Sequence, residues 1–252
     1  MKTNLPVLAK DRQPRNLRDG WIRNTMKLLV VSPHPDDFDA IGSTLKFLAG
    51  NGNPLRAIVT HGGSGIEDSY RPGATLAEKR ALRENEQRNS LRFFGLPEGR
   101  LTFFRSNSDA DDQPIDQVEN LSTLESLVCT NMPDIIFLPH HNDKNNGHRV
   151  IYSLVRQIAI RSKLPLALLL NSDPKTISMQ TDFYFAFDEA EATWKAKLQR
   201  FHDTQQQRNL NTRGYGLDER VLRHNRQLAG ELSLTEPYAE AFELETYNYS
   251  PQ

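Results

Sequence analysis

The chain has one cysteine among its 252 residues, and no apolar run comes near the roughly 20 residues that a membrane-spanning helix needs. A single cysteine excludes an internal disulfide and is typical of a reducing cytoplasm. The apolar neighbours Leu127 and Val128 predict that Cys129 is a buried structural thiol. The N-terminus lacks the apolar segment of a signal peptide, so the sequence predicts a cytoplasmic protein.

An excess of charge of one sign is also missing, because the formal net charge is −1. This balance gives no electrostatic reason to expect nucleic acid or an anionic membrane as a partner. Assembly into a homo-oligomer is left open, and the expectation of a small-molecule partner comes from the family resemblance described below. No Gly-x-Gly-x-x-Gly pattern opens the first predicted helix, which disfavours a nucleotide-binding transferase.

The length suits one large domain. Residues 1–25 are polar and rich in arginine, so they are predicted to form an N-terminal arm before a single domain over 26–252. Within that domain, short apolar strands alternate with helices, which predicts a doubly wound, mostly parallel sheet with helices on both faces. The predicted strands are 26–31, 55–60, 101–104, 134–138 and 165–170, with a β-rich stretch at 177–187. The predicted helices are one from about residue 40, 74–94, 115–130, one from about 148, 189–207 and 217–230.

A histidine and two acids follow the first strand in the run Pro33-His34-Pro35-Asp36-Asp37. The carboxyl ends of strands form the ligand crevice of open α/β sheets. Imidazole and carboxylate groups on one tight turn can share a Zn²⁺ ion, which would leave Asp36 free to act on water at the metal. The alternative is that an aspartate only caps the next helix and that His34 is an incidental turn residue.

The fourth strand is followed by a second polar cluster, in which three histidines and one aspartate lie within residues 139–148. If the first and fourth strands are neighbours, both clusters face one crevice. His34, Asp37 and one histidine of this segment would then supply three ligands and leave a fourth position open, as in catalytic zinc sites. His148 is the preferred third ligand because it begins a helix, with His140 and His141 as alternatives. Asp143 is expected among the substrate-binding residues.

Two other residues are candidates for contact with substrate. His61 follows the second strand and precedes a glycine-rich loop on the same side of the sheet. Arg83 lies on the long helix, where it would reach a sugar or phosphate group or take part in an ordinary ion pair.

Several of these segments together resemble the PIG-L/LmbE family of zinc-dependent de-N-acetylases, which act on N-acetylglucosamine conjugates. The resemblance covers about 26–245 and rests on Pro33–Asp37, on the 139–149 segment, and on two further groups. These groups are the pattern Lys195, Leu198, His202 and Gln205 and the run Tyr238-Ala239-Glu240-Ala241-Phe242. It implies a Rossmann-like sheet, Zn²⁺ on His34, Asp37 and His148, and Asp36 as general base.

The chain departs from that family at its His-Pro-Asp-His motif, where it has Asn145-Asn146-Gly147-His148. Asn145 can donate a hydrogen bond to an oxyanion, which makes it a candidate catalytic residue, but it cannot supply a proton. His140, His141, Asp143 or Asp36 would have to protonate the leaving amine. The main hypothesis is an amidohydrolase that removes acetyl from an N-acetylated amino sugar. The alternative is a catalytically impaired metal- or carbohydrate-binding protein of the same fold.

Overall fold

The computed structural model describes residues 13–63, 65–163 and 165–248. Its strands are β1 (Arg15–Asn16), β2 (Leu28–Ser32), β3 (Leu55–Thr60), β4 (Leu101–Phe104), β5 (Ile135–Pro139), β6 (Leu166–Asn171), β7 (Phe183–Phe187) and β8 (Tyr238–Tyr247). Its α-helices are α1 (Asp37–Ala40), α2 (Gly42–Gly50), α3 (Leu76–Phe94), α4 (Val118–Asn131), α5 (Asn146–Arg161), α6 (Glu189–Gln199), α7 (Asp203–Arg213) and α8 (Leu217–Glu231). Among the described residues, no helix combines the length and the apolar character needed to cross a bilayer.

All the strands lie in one sheet with the order β1-β7-β8-β6-β5-β2-β3-β4. The neighbouring strands are parallel, except that β8 runs antiparallel to both β6 and β7. The predicted α/β fold with a mostly parallel sheet is confirmed. The first and fourth predicted strands, β2 and β5, are neighbours, which meets the condition for one shared crevice: they pair in parallel, with Leu28 opposite Ile135. Strands β3 and β4 follow on one side of this pair, and β6 follows on the other. The strand order therefore reverses between β2 and β5, and the ligand crevice of such a fold is expected at the carboxyl ends of these two strands.

The apolar run of β2 is explained by burial on both faces of the sheet. Leu28 and Val30 enter one hydrophobic cluster, and Leu29 and Val31 enter the cluster on the opposite face. This alternation follows from the two-residue repeat of a strand. Helix α2 packs into the first cluster, and helices α4 and α5 pack into the second. A strand covered on both sides has no polar face, which is why it reads as a continuous apolar segment.

Helix α3 begins and ends as its sequence predicts, within two residues of the expected bounds. Thr75 and Glu78 form a reciprocal capping box at its start, and Gly95 ends it in a left-handed conformation with φ of 93°. Its buried residues are mostly polar or charged: Arg83, Glu84, Glu86, Gln87, Ser90 and Leu91. A helix that buries polar groups needs partners for them. Arg83 and Gln87 find theirs at the turn after β2, whereas Glu84 pairs with Arg105 and Glu86 accepts hydrogen bonds from Thr204.

Part of the predicted N-terminal arm belongs to the folded domain. Residues 1–12 lie outside the described part of the chain. From Arg15 onward, however, β1 pairs with β7 at the sheet edge, and Leu17 and Ile22 are buried. The arm prediction is therefore wrong for 13–25, because a few apolar side chains among the arginines are enough to anchor the segment.

Three other predictions from local pattern are corrected. Cys129 is exposed, because Leu121, Leu124 and Val128 form the inner face of α4 and the next residue turns outward. The predicted helix over 189–207 is interrupted at His202, which separates α6 from α7. Only residues 183–187 of the β-rich stretch form a strand, and the run Tyr238–Phe242, which was quoted above for the family resemblance, lies in the antiparallel strand β8.

A fully buried ion pair ties the C-terminal elements to the start of α2. Lys195 Nζ donates to Glu240 Oε1 at 2.5 Å, to Asn225 Oδ1 at 2.7 Å and to the Ala40 carbonyl oxygen at 2.6 Å. Glu240 also accepts the backbone N–H groups of Ser43 and Thr44. Burial lowers the pKa of Lys195, although the Glu240 carboxylate opposes this shift.

We expect Glu240→Gln to lower the free energy of unfolding by about 3–5 kcal/mol, because it leaves the Lys195 ammonium buried without its counter-charge. The double variant Lys195→Met/Glu240→Leu should recover much of that loss, since it removes both charges. Urea unfolding of the three proteins measures the difference. Equal destabilisation of the single and double variants would show that the stability depends on packing at this site and not on the charge pair.

Candidate metal centre

The turn after β2 places Asp36 in an unusual backbone conformation, with φ of 110° and ψ of −25°. Side chains of α3 hold it there. Gln87 Oε1 accepts the Asp36 N–H at 3.0 Å, and Arg83 donates to Asp36 Oδ1 at 3.1 Å and to the Pro35 carbonyl oxygen. A non-glycine residue keeps positive φ only where its surroundings impose it, and such positions are concentrated at functional sites.

A buried chain of polar groups supports this turn from behind. The Asp39 carboxylate accepts a hydrogen bond from Ser90 Oγ at 2.5 Å and contacts His202 Nε2. Ser90 in turn accepts from Gln87, the residue that holds the Asp36 backbone. Burial raises the pKa of Asp39, and the pKa of His202 is also raised because the Asp39 carboxylate outweighs burial of the imidazole.

Three potential metal ligands converge beside this turn. The His34 N–H donates to Asp37 Oδ2 at 2.7 Å, and His34 Nδ1 lies 3.2 Å from the same oxygen. His148 Nε2 lies 3.4 Å from Asp37 Oδ1. One donor atom from each of the three residues lies within 4.8 Å of the other two.

His148 reaches the turn because its helix begins directly after β5. Asn145 caps α5 by accepting the Gly147 N–H at 2.9 Å, which fixes His148 in the first turn. The second ring nitrogen, His148 Nδ1, lies 3.2 Å from Asp143 Oδ2, and Asp143 accepts the Asn145 N–H at 2.6 Å. A carboxylate behind a histidine ligand is the arrangement that orients the ring in metal sites.

The acids and imidazoles shift one another's ionisation strongly. Burial opposes the charged form of His148, but the Asp37 and Asp143 carboxylates raise its pKa to about 10. Burial likewise favours the neutral form of Asp37, yet the two imidazoles hold its pKa well below the usual range. The pKa of Asp143 is also lowered, because His148 outweighs its burial. A divalent cation would take the place of the positive charge that these carboxylates favour on His148.

The donor set fits a zinc ion. Two imidazole nitrogens and a carboxylate oxygen are ligands that zinc takes, and ligand bonds of about 2.0–2.1 Å in a tetrahedron place donors about 3.3 Å apart. The two imidazoles lie 3.2 Å and 3.4 Å from different oxygens of Asp37, and the donor atoms of the three residues lie within 4.8 Å of one another, which is close enough for one ion. Neither alternative ligand belongs to this group: His140 Nε2 lies 3.2 Å from Glu243 Oε2, and His141 is exposed and stacks on Tyr152. His148 is thus the histidine of its segment that reaches Asp37.

A cavity of about 240 Å³ opens on these groups. Of the predicted site residues, the ligands His34 and Asp37, the base candidate Asp36, and both Arg83 and Asn145 line it. Two predicted substrate-binding residues do not. His61 is buried with Nδ1 3.1 Å from the Phe104 carbonyl oxygen, and Asp143 is buried behind His148.

Gln205, which was quoted above for the family resemblance, also lines the cavity. Other polar residues of the lining were not predicted from the sequence: Gln113, Asp173, Lys175, Arg208 and Arg220. Gln113 Oε1 lies 3.1 Å from His34 Nε2. The acidic composition of the loop over 109–114 is typical of a solvated segment and does not indicate this contact. Asp173 and Lys175 could have been found, since they follow β6 at the same edge of the sheet as the two motifs. Nothing in the local pattern around Arg208 and Arg220 points to the cavity.

Gly147 explains how the departure from the family motif is accommodated. A Cβ atom at this position would lie 2.8 Å from His34 Nε2 and 2.8 Å from Gln113 Oε1.

We expect Gly147→Ala to displace one of these side chains and to weaken zinc binding about tenfold or more. The estimate is the affinity that is typically lost when a residue that contacts a metal ligand is removed. Gly230→Ala is the matched control, because its Cβ would meet open space in α8. Zinc affinities measured by chelator competition should differ between the two variants, and equal affinities would refute the steric argument.

Residues 29–159, more than half of the chain, match the family described as PIG-L: GlcNAc-PI de-N-acetylase. The chain belongs to the PIG-L family. The match begins in β2 and ends in α5, so it includes both strand-end motifs. No curated protein has a significant match to the chain.

Solved structures whose fold is similar to that of this PIG-L family member include enzymes of more than one reaction class. N,N'-diacetylchitobiose deacetylase from Pyrococcus horikoshii, in complex with an inhibitor, has a TM-score of 0.72 and 18% identity over 87% of this chain and 84% of its own. The A40926 pseudoaglycone deacetylase Dbv21 has a TM-score of 0.63 and 17% identity, over 89% and 99%. The 4-carboxy-2-hydroxymuconate hydratase GalB from Pseudomonas putida KT2440 has a TM-score of 0.66 and 18% identity, over 90% and 99%. At such identities the likeness concerns the fold alone, and the reaction must be inferred from the site.

Proposed function

We propose that this protein is a zinc-dependent amidohydrolase that removes the acetyl group from an N-acetylated amino sugar. The observation that carries the proposal is the convergence of His34, Asp37 and His148 beside a cavity that Asp36 also lines, together with His34 and Asp37. The family match and the deacetylases among the structural neighbours support it. A carboxylate beside three metal ligands is the arrangement that hydrolysis by an activated water requires.

In this proposal His34, Asp37 and His148 hold the ion, and Asp143 orients His148. When bound, zinc would act as a Lewis acid toward the acetyl carbonyl and the attacking water. Asp36 removes a proton from that water. Arg83 donates to Asp36 Oδ1, which leaves Oδ2 of the same carboxylate to receive the proton.

The oxyanion and the leaving amine are the remaining requirements. Asn145 Oδ1 accepts the Gly147 N–H, so the Asn145 amide N–H groups are the ones left to donate toward a developing oxyanion. The proton for the amine has to come from a group in the cavity. His140, His141 and Asp143 do not line it, whereas Asp36 does. We therefore assign Asp36 to carry the proton from water to amine, which yields acetate and the free amino sugar.

The test is to purify the protein, quantify bound metal, and follow amine release from N-acetylglucosamine and its simple glycosides with zinc added. We expect about one metal ion per chain and release of amine and acetate in equal amounts. One equivalent of metal without turnover on the whole panel would favour the metal- or carbohydrate-binding alternative, which the replacement of a histidine by Asn145 supports. Absence of metal binding would overturn the proposal. The cytoplasmic location expected from the sequence stays a prediction.

A further inference from the structure

The cavity beside the candidate metal centre is lined by more basic than acidic side chains. Four cationic side chains line it, and the three acids among the lining residues are Asp36, Asp37 and Asp173. The cations are Arg83, Lys175, Arg208 and Arg220. The chain as a whole carries a formal net charge of −1, so this accumulation is local and is not a consequence of composition.

Three of these cations have no side-chain partner in the part of the chain that the structure describes. Arg83 is committed to Asp36, but Lys175, Arg208 and Arg220 form no side-chain hydrogen bond or ion pair within residues 13–63, 65–163 and 165–248. Arg223, one helical turn from Arg220 on α8, pairs with Glu219 at 2.5 Å. The arginine of α8 that faces outward is therefore paired, and the one that lines the cavity is not.

The three unpaired cations come from three separate elements. Lys175 lies on the loop after β6, Arg208 on α7 and Arg220 on α8. Lys175 and Arg220 are half-buried and Arg208 is exposed. Gathering like charges on one cavity is unfavourable unless a ligand neutralises them, and such a lining attracts anions selectively. Guanidinium groups in addition suit the planar geometry of carboxylate and the oxygens of phosphate.

The acids of the cavity do not neutralise this group. Asp36 is held by Arg83, and Asp37 lies against His34 and His148. Asp173 Oδ1 accepts the backbone N–H of Lys175 at 2.8 Å, which shapes the loop and leaves the ammonium of Lys175 unpaired.

We propose that the substrate carries an anionic group, a carboxylate or a phosphate, away from its acetamide, and that Lys175, Arg208 and Arg220 bind that group. This inference rests on the proposed function, since it names the class of acetylated sugar that the site accepts. It also explains why three cations without counter-charges line one cavity of a protein whose formal net charge is only −1.

The kinetic test compares substrates that share the acetamido sugar and differ in charge. We expect kcat/KM for N-acetylglucosamine 6-phosphate, N-acetylglucosamine 1-phosphate or N-acetylmuramic acid to exceed that for N-acetylglucosamine at least about tenfold, and the advantage to shrink as salt is raised. The best substrate of the panel distinguishes phosphate from carboxylate. In the variant K175Q/R208Q/R220Q the ratio of charged to neutral substrate should fall toward one, and in R213Q, an exposed arginine at the end of α7, it should stay unchanged.

A binding measurement separates this inference from the proposed function. Calorimetry of N-acetylglucosamine 6-phosphate with chelator-treated protein needs neither metal nor turnover. We expect the Kd to be at least about tenfold higher for K175Q/R208Q/R220Q than for the wild type, with R213Q unchanged. If no sugar is deacetylated but this difference is found, the reaction is wrong and the anion site is right. Equal Kd values in the wild type and the triple variant, or a preference of the wild type for the neutral sugar, would overturn the anion site.

Discussion

Asp36→Asn should reduce kcat by about 100- to 10,000-fold, the range that a positioned general base contributes, while bound metal stays at the wild-type level. Asparagine has the same shape, tolerates positive φ better than most residues, and can still accept the hydrogen bond that Arg83 donates to Asp36 Oδ1. It cannot take a proton from water. Because the metal ligands His34, Asp37 and His148 are unchanged, a loss of turnover would be assigned to proton transfer.

The matched control for this variant is Glu119→Gln, which removes one negative charge from an exposed position on α4, outside the cavity. Its activity and metal content should equal those of the wild type. Steady-state kinetics and metal analysis on the same protein samples compare the three proteins. Wild-type turnover by Asp36→Asn would refute the assignment of Asp36 as the base and as the proton carrier.

Loss of the bound metal is the expected result of His148→Ala. The substitution removes one of three ligands and leaves the Asp37 and Asp143 carboxylates facing each other without the imidazole between them. We expect zinc affinity to fall by more than the roughly 10- to 100-fold that removal of an outer partner of a ligand costs. In Asp143→Asn the loss of zinc affinity should fall within that smaller range of about 10- to 100-fold, and added zinc should restore the activity of this variant. Zinc content after dialysis against a graded series of chelators measures both variants.

His141→Ala is the control, because His141 lies in the same loop, is exposed, and stacks on Tyr152 away from the cavity. It should bind zinc as the wild type does. Full zinc occupancy in His148→Ala would move the third ligand elsewhere and contradict the arrangement proposed for the centre.

The parts of the site that could be predicted from the sequence are those that depend on neighbouring residues. The apolar repeat of β2 and β5, the prolines that end them, and the polar residues that follow are all local features. They place His34, Asp37 and His148 just after the carboxyl ends of β2 and β5, which lie side by side because the two strands are neighbours. The N-terminal segment and Cys129 were predicted wrongly for a related reason. Both predictions relied on average local polarity, whereas burial depends on which few side chains face the core.

The sequence by itself therefore determined strands β2 to β6, the helix bounds of α3 and the residue types at the strand ends, because period, capping and turn chemistry act over a few residues. Only the tertiary structure decided which distant side chains meet there. Arg83 and Gln87 hold Asp36 from 47 and 51 residues away, and Gln113 reaches His34 from 79 residues away. Lys175, Arg208 and Arg220 likewise meet on one cavity through the packing of a loop and two helices. Contacts over such separations are set by how elements pack against the sheet, and no local pattern encodes that packing.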